Sequence, residues 1–163
     1  MNLVRTEVID KVPYVDQQVL TFIKSTGDTL LVTVRRSQDF MNDNCVECYC
    51  NTTESELIGL SLISDSVSLL SMNIWADDPR VTFAGKISGF ELWVNPTGEV
   101  RCDSSMIICL DSLTVQGVYY QNVYQLEHRF TTLPDLDITR LFYQAEKGLL
   151  RVDYKDGTKM EVL

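Results

Sequence analysis

Apolar and polar residues alternate with a period of two over most of this chain, in short runs broken by turn residues, and that pattern predicts strands. Val19–Lys24 and Thr29–Arg35 are dense in β-branched residues, and Ser25-Thr26-Gly27-Asp28 supplies turn chemistry between them, so a first hairpin is expected. Its second arm sets Leu30, Val32 and Val34, the drier face, against Leu31, Thr33 and Arg35. Alternation returns over Glu56–Trp75, where Ile58, Leu60 and Leu62 share a side and a turn near Asp65 leads to Val67, Leu69, Met72 and Ile74. A helix competes there, because Leu57, Leu60, Leu69 and Leu70 also fit helical spacing; the serines, Gly59 and the β-branched content favour strands. Arg80–Ala84 and Ile87–Val94 follow, the second placing Phe90, Leu92 and Val94 opposite Glu91 and Trp93. Asn95-Pro96-Thr97-Gly98 is the sharpest turn signal, since proline pre-sets φ and glycine accepts the left-handed conformation, and it predicts a hairpin returning through Glu99–Asp103.

The clearest patterning runs from Cys109 to Leu163, a train of alternating segments separated by glycine-containing turns that predicts a meander. Two stretches depart from alternation. Residues 1–18 hold Pro13 and read as an irregular N-terminal arm with room for one edge strand, and residues 36–55 read as a long polar loop carrying three of the five cysteines. The sum is one domain over residues 1–163, all-β: an antiparallel β-sandwich or half-open barrel of about ten short strands with a C-terminal meander.

Composition narrows the function classes. A chain of 163 residues buries roughly 70% of its unfolded surface, so neither metals nor disulfides are obligatory for folding. The net charge of −9, with Arg35-Arg36 as the only adjacent basic pair, excludes a nucleic-acid groove. No apolar run approaches the roughly eighteen residues of a transmembrane helix. The opening MNLVRTEVIDKVPY lacks a basic segment followed by an apolar one, which predicts either a cytoplasmic chain or one whose leader has been removed.

Cys45, Cys48, Cys50, Cys102 and Cys109 are the most informative polar set. As zinc ligands, Cys45-x2-Cys48 would need a partner pair, and the six-residue gap between Cys102 and Cys109 is too wide for one. Disulfides are favoured over free thiols, with one thiol unpaired in a monomer. About fifteen connectivities of four paired cysteines are open, and the one favoured among them, joining the 45–50 cluster to Cys102 and Cys109, closes loops of about fifty residues, worth roughly 2–4 kcal/mol. His128, the only histidine, falls on the strand side of Tyr124 and Leu126 and reads as structural rather than as a general base. Asp77-Asp78 and Asp135-x-Asp137 lack the ligand density of a calcium loop, and Asn51-Thr52-Thr53 matches the short glycosylation sequon. The C-terminal aromatics Tyr119, Tyr120, Tyr124, Phe130, Phe142, Tyr143 and Tyr154 fill a β core as naturally as they bind a sugar. Candidate ligand or partner contacts are Tyr49, Trp75, Trp93, Tyr120 and Tyr124; no catalytic constellation, cofactor motif or metal site is read.

Gly117, Tyr120, Asn122-Val123-Tyr124, Phe142-Tyr143, Glu146-Lys147-Gly148 and Asp156-Gly157 together form a strand-and-turn pattern. It resembles the C-terminal half of small exported β-rich lipoproteins of unassigned function from Gram-negative gut bacteria. Gly27-Asp28-Thr29 and the cysteine-rich stretch look similar too. The resemblance implies a β-rich fold, an envelope location and a leader ending in a lipidated cysteine, which would supply a lipid anchor; it implies no catalytic residues.

The expected function is a non-catalytic cell-envelope interaction module, periplasmic or attached to the outer membrane. It would bind an envelope protein, glycan or lipid through loops at one end, with 41–55 as the candidate surface. The alternative is a carrier of an apolar small molecule or lipid in a partly open barrel. A hydrolase using His128 ranks last.

Overall fold

The computed structural model describes residues 3–163 except 5, 43–53, 65–66, 77–79, 85–89, 95–98, 103–105 and 128–136. At positions 7, 41–42, 54–55, 64, 67–70, 75, 80 and 82–84 it describes the backbone alone. A one-turn helix α1 (Thr6–Ile9) precedes eleven strands: β1 (Val19–Lys24), β2 (Thr29–Asn42), β3 (Glu54–Ser64), β4 (Val67–Trp75), β5 (Arg80–Ala84), β6 (Glu91–Trp93), β7 (Ile107–Val115), β8 (Val118–Glu127), β9 (Ile138–Gln144), β10 (Gly148–Tyr154) and β11 (Lys159–Val162). All pair antiparallel in one sheet of order β6-β5-β4-β3-β2-β1-β11-β10-β9-β8-β7. Strands consecutive in sequence therefore lie side by side except β6 and β7, which end the row, and β1 closes onto β11 through Phe22 opposite Val162. Among the described residues the one break in this ring of neighbours falls between β6 and β7.

Period-two alternation supplies the inward face. Val34 sits opposite Leu62, Leu60 opposite Met72, Ile74 opposite both Ile58 and Val81, and Val81 opposite Leu92, all buried. The same face continues on the other side of β1 through Met160, Val152, Leu141, Leu126 and Ile107, each opposite the next. These residues from both ends of the row share one core, so the sheet is curled into a half-barrel. Phe90, Leu92 and Val94 are buried opposite half-buried Glu91 and Trp93, as the alternation predicts. The isolated pairing of Val94 with Val100 marks the return of the expected hairpin, whose turn lies outside the described residues.

Two expectations are corrected. The arm is irregular, as expected, but among its described residues it supplies no edge strand: it lines the concave side, with Val4, Val8, Val12 and Tyr14 buried in the main core. Their wide, roughly one-turn spacing suits a coil-and-turn path rather than strand pairing, and α1 forms within it. Tyr14 accepts the Leu149 backbone N–H at 2.5 Å, the Tyr143 hydroxyl donates to the Lys11 carbonyl at 2.5 Å, and Val4 N–H donates to Glu56 Oε2 at 2.8 Å. The polar stretch 36–55 is not all loop, because β2 runs on to Asn42 and pairs with β3 from Glu54; exposed polar residues suit an outer strand extension whose backbone is satisfied by the ladder. Of the strand expected over 87–94, β6 is present at Glu91–Trp93, while residues 87–89 lie outside the described residues.

The C-terminal meander has a second core on its outer side, formed by Val115, Val123, Phe142 and Leu150 with Leu110, Leu113 and Tyr120 against it. What covers it is the far half of the β7–β8 hairpin. Gln116 and Gly117 take left-handed φ values of 49° and 79°, the mark of a tight two-residue turn. Gln116 Nε2 donates to Glu161 Oε2 on β11 at 2.5 Å. In the row, β11 lies three places from β8, roughly 14 Å away at the usual strand spacing. The turn reaches it only by lying over the outer face of β9 and β10. Asn122, with φ 53° in the middle of β8, interrupts the ladder opposite Asp111 and provides the bend.

Candidate functional site

An open cleft of about 530 Å³ lies at the break in the ring. One wall is the segment returning from β6, with Glu99, Val100 and Cys102; the other is Cys109, Leu110 and Asp111 on β7 with Gln121, Asn122 and Tyr124 on β8. Lys11 of the arm and Gln144, Ala145 and Glu146 at the β9–β10 turn close it off. Gly148 holds that turn in place with φ 83°, and a Cβ there would collide with the Tyr14 ring and hydroxyl, so the turn, the arm and the cleft floor depend on one glycine.

Cys102 and Cys109 form a disulfide with Cα atoms 5.5 Å apart, and both residues are exposed. The pairing expected between the 45–50 cluster and these two cysteines is therefore corrected: they bond to each other across the seam, where the strand return brings positions seven residues apart within bridging distance. Cys45, Cys48 and Cys50 lie outside the described residues.

The cleft carries the carboxylates of Glu99, Asp111 and Glu146 against the single ammonium of Lys11. Half-burial raises the Tyr124 hydroxyl above the ordinary tyrosine value, so it stays protonated as a donor at neutral pH. Gln144 Nε2 donates to the Gln121 carbonyl at 2.7 Å, while Gln144 Oε1 is buried with no partner among the described residues. The arrangement suits a neutral or cationic, donor-rich group rather than an anion. Among the described residues no three His, Cys, Asp or Glu side chains converge to hold a metal, and no helix is long and apolar enough to cross a membrane.

Of the aromatics expected to contact a ligand whose side chains are described, Tyr124 alone is placed in the cleft. Tyr120 instead packs against the outer core beneath the folded hairpin. Trp93 rests half-buried against the main core, its Nε1 donating to Glu91 Oε2 at 3.2 Å. Trp75 is described by backbone only, opposite Leu57, and Tyr49, His128, Phe130 and Asp135 lie outside the described residues, as does most of the 41–55 stretch. Sequence reasoning missed Lys11, Gln121, Gln144 and Glu146, which only the fold brings together. It also missed Glu56, a buried carboxylate that accepts from Val4 N–H and, at 2.5 Å, from Gln38 Nε2. The lone signal for the cleft was the Cys102–Cys109 pair bracketing a strand turn.

Comparison of the chain with protein-family models, with curated proteins and with solved structures gave no match.

Proposed function

We propose that this protein is a non-catalytic interaction module of the cell envelope that docks a partner group in the seam cleft. The observation that carries this reading is the cleft itself, an open and preorganised concavity rimmed by turns on a curled sheet, with hydrogen-bonding groups and an aromatic converging in it. A disulfide on its rim favours an exported, oxidising compartment. An envelope protein or glycan offering hydroxyl, amide or ammonium donors fits the carboxylate-rich lining. The carrier reading is weaker, because the N-terminal arm occupies the concave side where an apolar cargo would sit.

The test is retention of the full chain on immobilised peptidoglycan, outer-membrane vesicles and envelope protein extract. Wild type is compared with an Asp111→Arg, Gln121→Arg double variant and with Leu31→Ser, which changes an exposed residue on the outer face of β2. Retention is expected to fall about tenfold or more in the cleft variant and to hold in Leu31→Ser. Equal retention of all three proteins removes the cleft as the docking site.

A further inference from the structure

We infer that this protein pairs with a second copy of itself through a step on its convex side, the end of each β7–β8 hairpin resting on the outer face of β1 and β2 of the other copy. The fold builds the step. Its riser is the far half of the hairpin, standing one layer, about 10 Å, above the sheet. The riser stops at β11, where Gln116 Nε2 donates to Glu161 Oε2. The tread begins on the next strand of the row, β1. Phe22, Val32 and Val34 are buried on the inward side, so Val19, Thr21, Ile23, Leu31 and Thr33 face outward, and none of these five is buried. Thr21 lies opposite Leu31 and Val19 opposite Thr33. Of the nine large apolar side chains exposed among the described residues, four belong to the step: Val19 at 59% and Leu31 at 62% on the tread, Val118 at 52% and Tyr119 at 63% at the end of the hairpin. Val118 is opposite the buried Val115, which puts it at the rim of the hairpin's underside, whereas Tyr119, one residue on and opposite Thr114, is on its top.

Charge, shape and continuity select a second copy as the occupant. The chain has 14 basic and 23 acidic residues, yet residues 19–23, 29–34 and 112–121 contain none of them. Charges bordering the tread are matched within the chain: Glu161, opposite Ile23, holds Gln116 and lies 3.9 Å from Arg151, and Arg35 lies within the field of Asp16. A charged partner finds nothing to pair with on these surfaces, and two copies of net charge −9 meet there with the least repulsion. A step is also its own complement. A two-fold axis along the riser lays the Tyr119 side of each hairpin on the other tread and sets the two Val118 residues side by side. Strands β1 to β4 give a tread roughly 19 Å wide, and a two-stranded hairpin needs about 10 Å. Within one chain the hairpin already covers the outer face of β9 and β10 over Phe142 and Leu150, and the partner's hairpin extends the same layer over β1 and β2. Tread and hairpin end offer on the order of 500 Å² per copy at these spacings, below the roughly 800 Å² per partner of tight complexes. Association is therefore weak, and in the dilute solutions where folding and docking are measured the copies are apart. With β1 sixth in the row of eleven and the cleft at the row's ends, pairing leaves the cleft open.

The experiment is sedimentation of the full chain from about 1 μM to about 1 mM in roughly 0.15 M salt. Expected is a species of 18.6 kDa at the dilute end that passes to twice that mass and no further, because an isologous pair closes on itself. Leu31→Lys and Tyr119→Glu should each weaken association by about tenfold or more, while Ile108→Asp, at an exposed position of β7 seven residues before Val115, should leave it unchanged. Mixing the Leu31→Lys and Tyr119→Glu proteins tests the reciprocal geometry. The mixed pair has one native contact and one in which the two new charges attract, so association should return to within about threefold of wild type. The inference is overturned by a wild-type chain that stays at 18.6 kDa throughout the range, by association that both step variants leave intact or that Ile108→Asp weakens equally, or by a mixture that associates no better than its components. The wild-type masses decide even where a variant does not fold. Retention through the cleft is a separate readout, so either reading can fall while the other stands.

Discussion

The two meanders use their faces differently. In β2 the burial alternates, with Val32 and Val34 inside and Leu31 and Arg35 in solvent. In β9 and β10 adjacent residues are buried together: Leu141, Phe142 and Tyr143 in one, Leu149 and Leu150 in the other. Among the described residues the N-terminal half therefore has one core face, whereas the C-terminal half has two, because its own β7–β8 hairpin bends at Asn122 and lies over its outer side. A register shift between Leu149 and Arg151 helps: the bulge lets Leu149 face the main core and Leu150 the outer one. Arg151, opposite Phe142, then stacks its guanidinium 4.9 Å from the ring centroid while pairing with Asp153 at 2.5 Å and lying 3.9 Å from Glu161. A sheet with one free face can present that face, while a sheet with two covered faces is a rigid base. The cleft lies where the rigid half meets the edge of the other.

The comparison breaks most sharply at the arm. Gly148→Ala forces a Cβ against Tyr14 in a left-handed backbone conformation, and is expected to cost about 3 kcal/mol or more by combining strain with a displaced buried aromatic. Denaturant unfolding should show this, together with faster exchange throughout residues 6–14. A loss under 1 kcal/mol (about a third of that estimate) would mean the arm is not anchored at this turn. Next in size, Phe142→Ala removes the centre of the outer core and should cost about 3 kcal/mol, while Leu31→Ser on the uncovered face of β2 should stay within about 0.5 kcal/mol. Equal effects of the two would show that the hairpin does not cover the C-terminal half.

The smallest expected effect is alkaline. Burial holds the hydroxyls of Tyr14 and Tyr143 above their ordinary value of 10.0, and the charge of an ionised Tyr14 raises Tyr143 further. In the unfolded chain they ionise at that ordinary value, so the folded state binds more protons above it. Their contribution is fully present below pH 10 and is lost as pH climbs toward the raised folded values. Melting temperature followed with tyrosinate absorbance should fall above pH 10 in a single cooperative step; early, non-cooperative ionisation of all seven tyrosines would place these two in solvent.

Strand positions were legible because alternation is a local property. Val32 and Val34, or Phe90, Leu92 and Val94, declare their side from their spacing alone, and glycine turns punctuate the C-terminal meander. The helix that competed over residues 56–75 is absent there, and β3 and β4 form with their register partners. Polar residues 36–42 misled because a strand extension paired along its backbone needs no apolar face to form. Tyr120 and Trp93 lie outside the cleft, and an aromatic at a strand surface looks the same in sequence whether a ligand or the protein's own core covers it.

Side-chain alternation and turn chemistry alone thus determined an all-β chain, its hairpins and the inward set of most strands, since each is written in residues a few positions apart. Closure of β1 on β11, burial of the arm 132 and 135 residues from its hydrogen-bond partners, the outer core and the Cys102–Cys109 pairing were decided by tertiary structure. They depend on which surfaces remain uncovered once the strands are paired, and that is a property of the whole curled sheet rather than of any stretch within it.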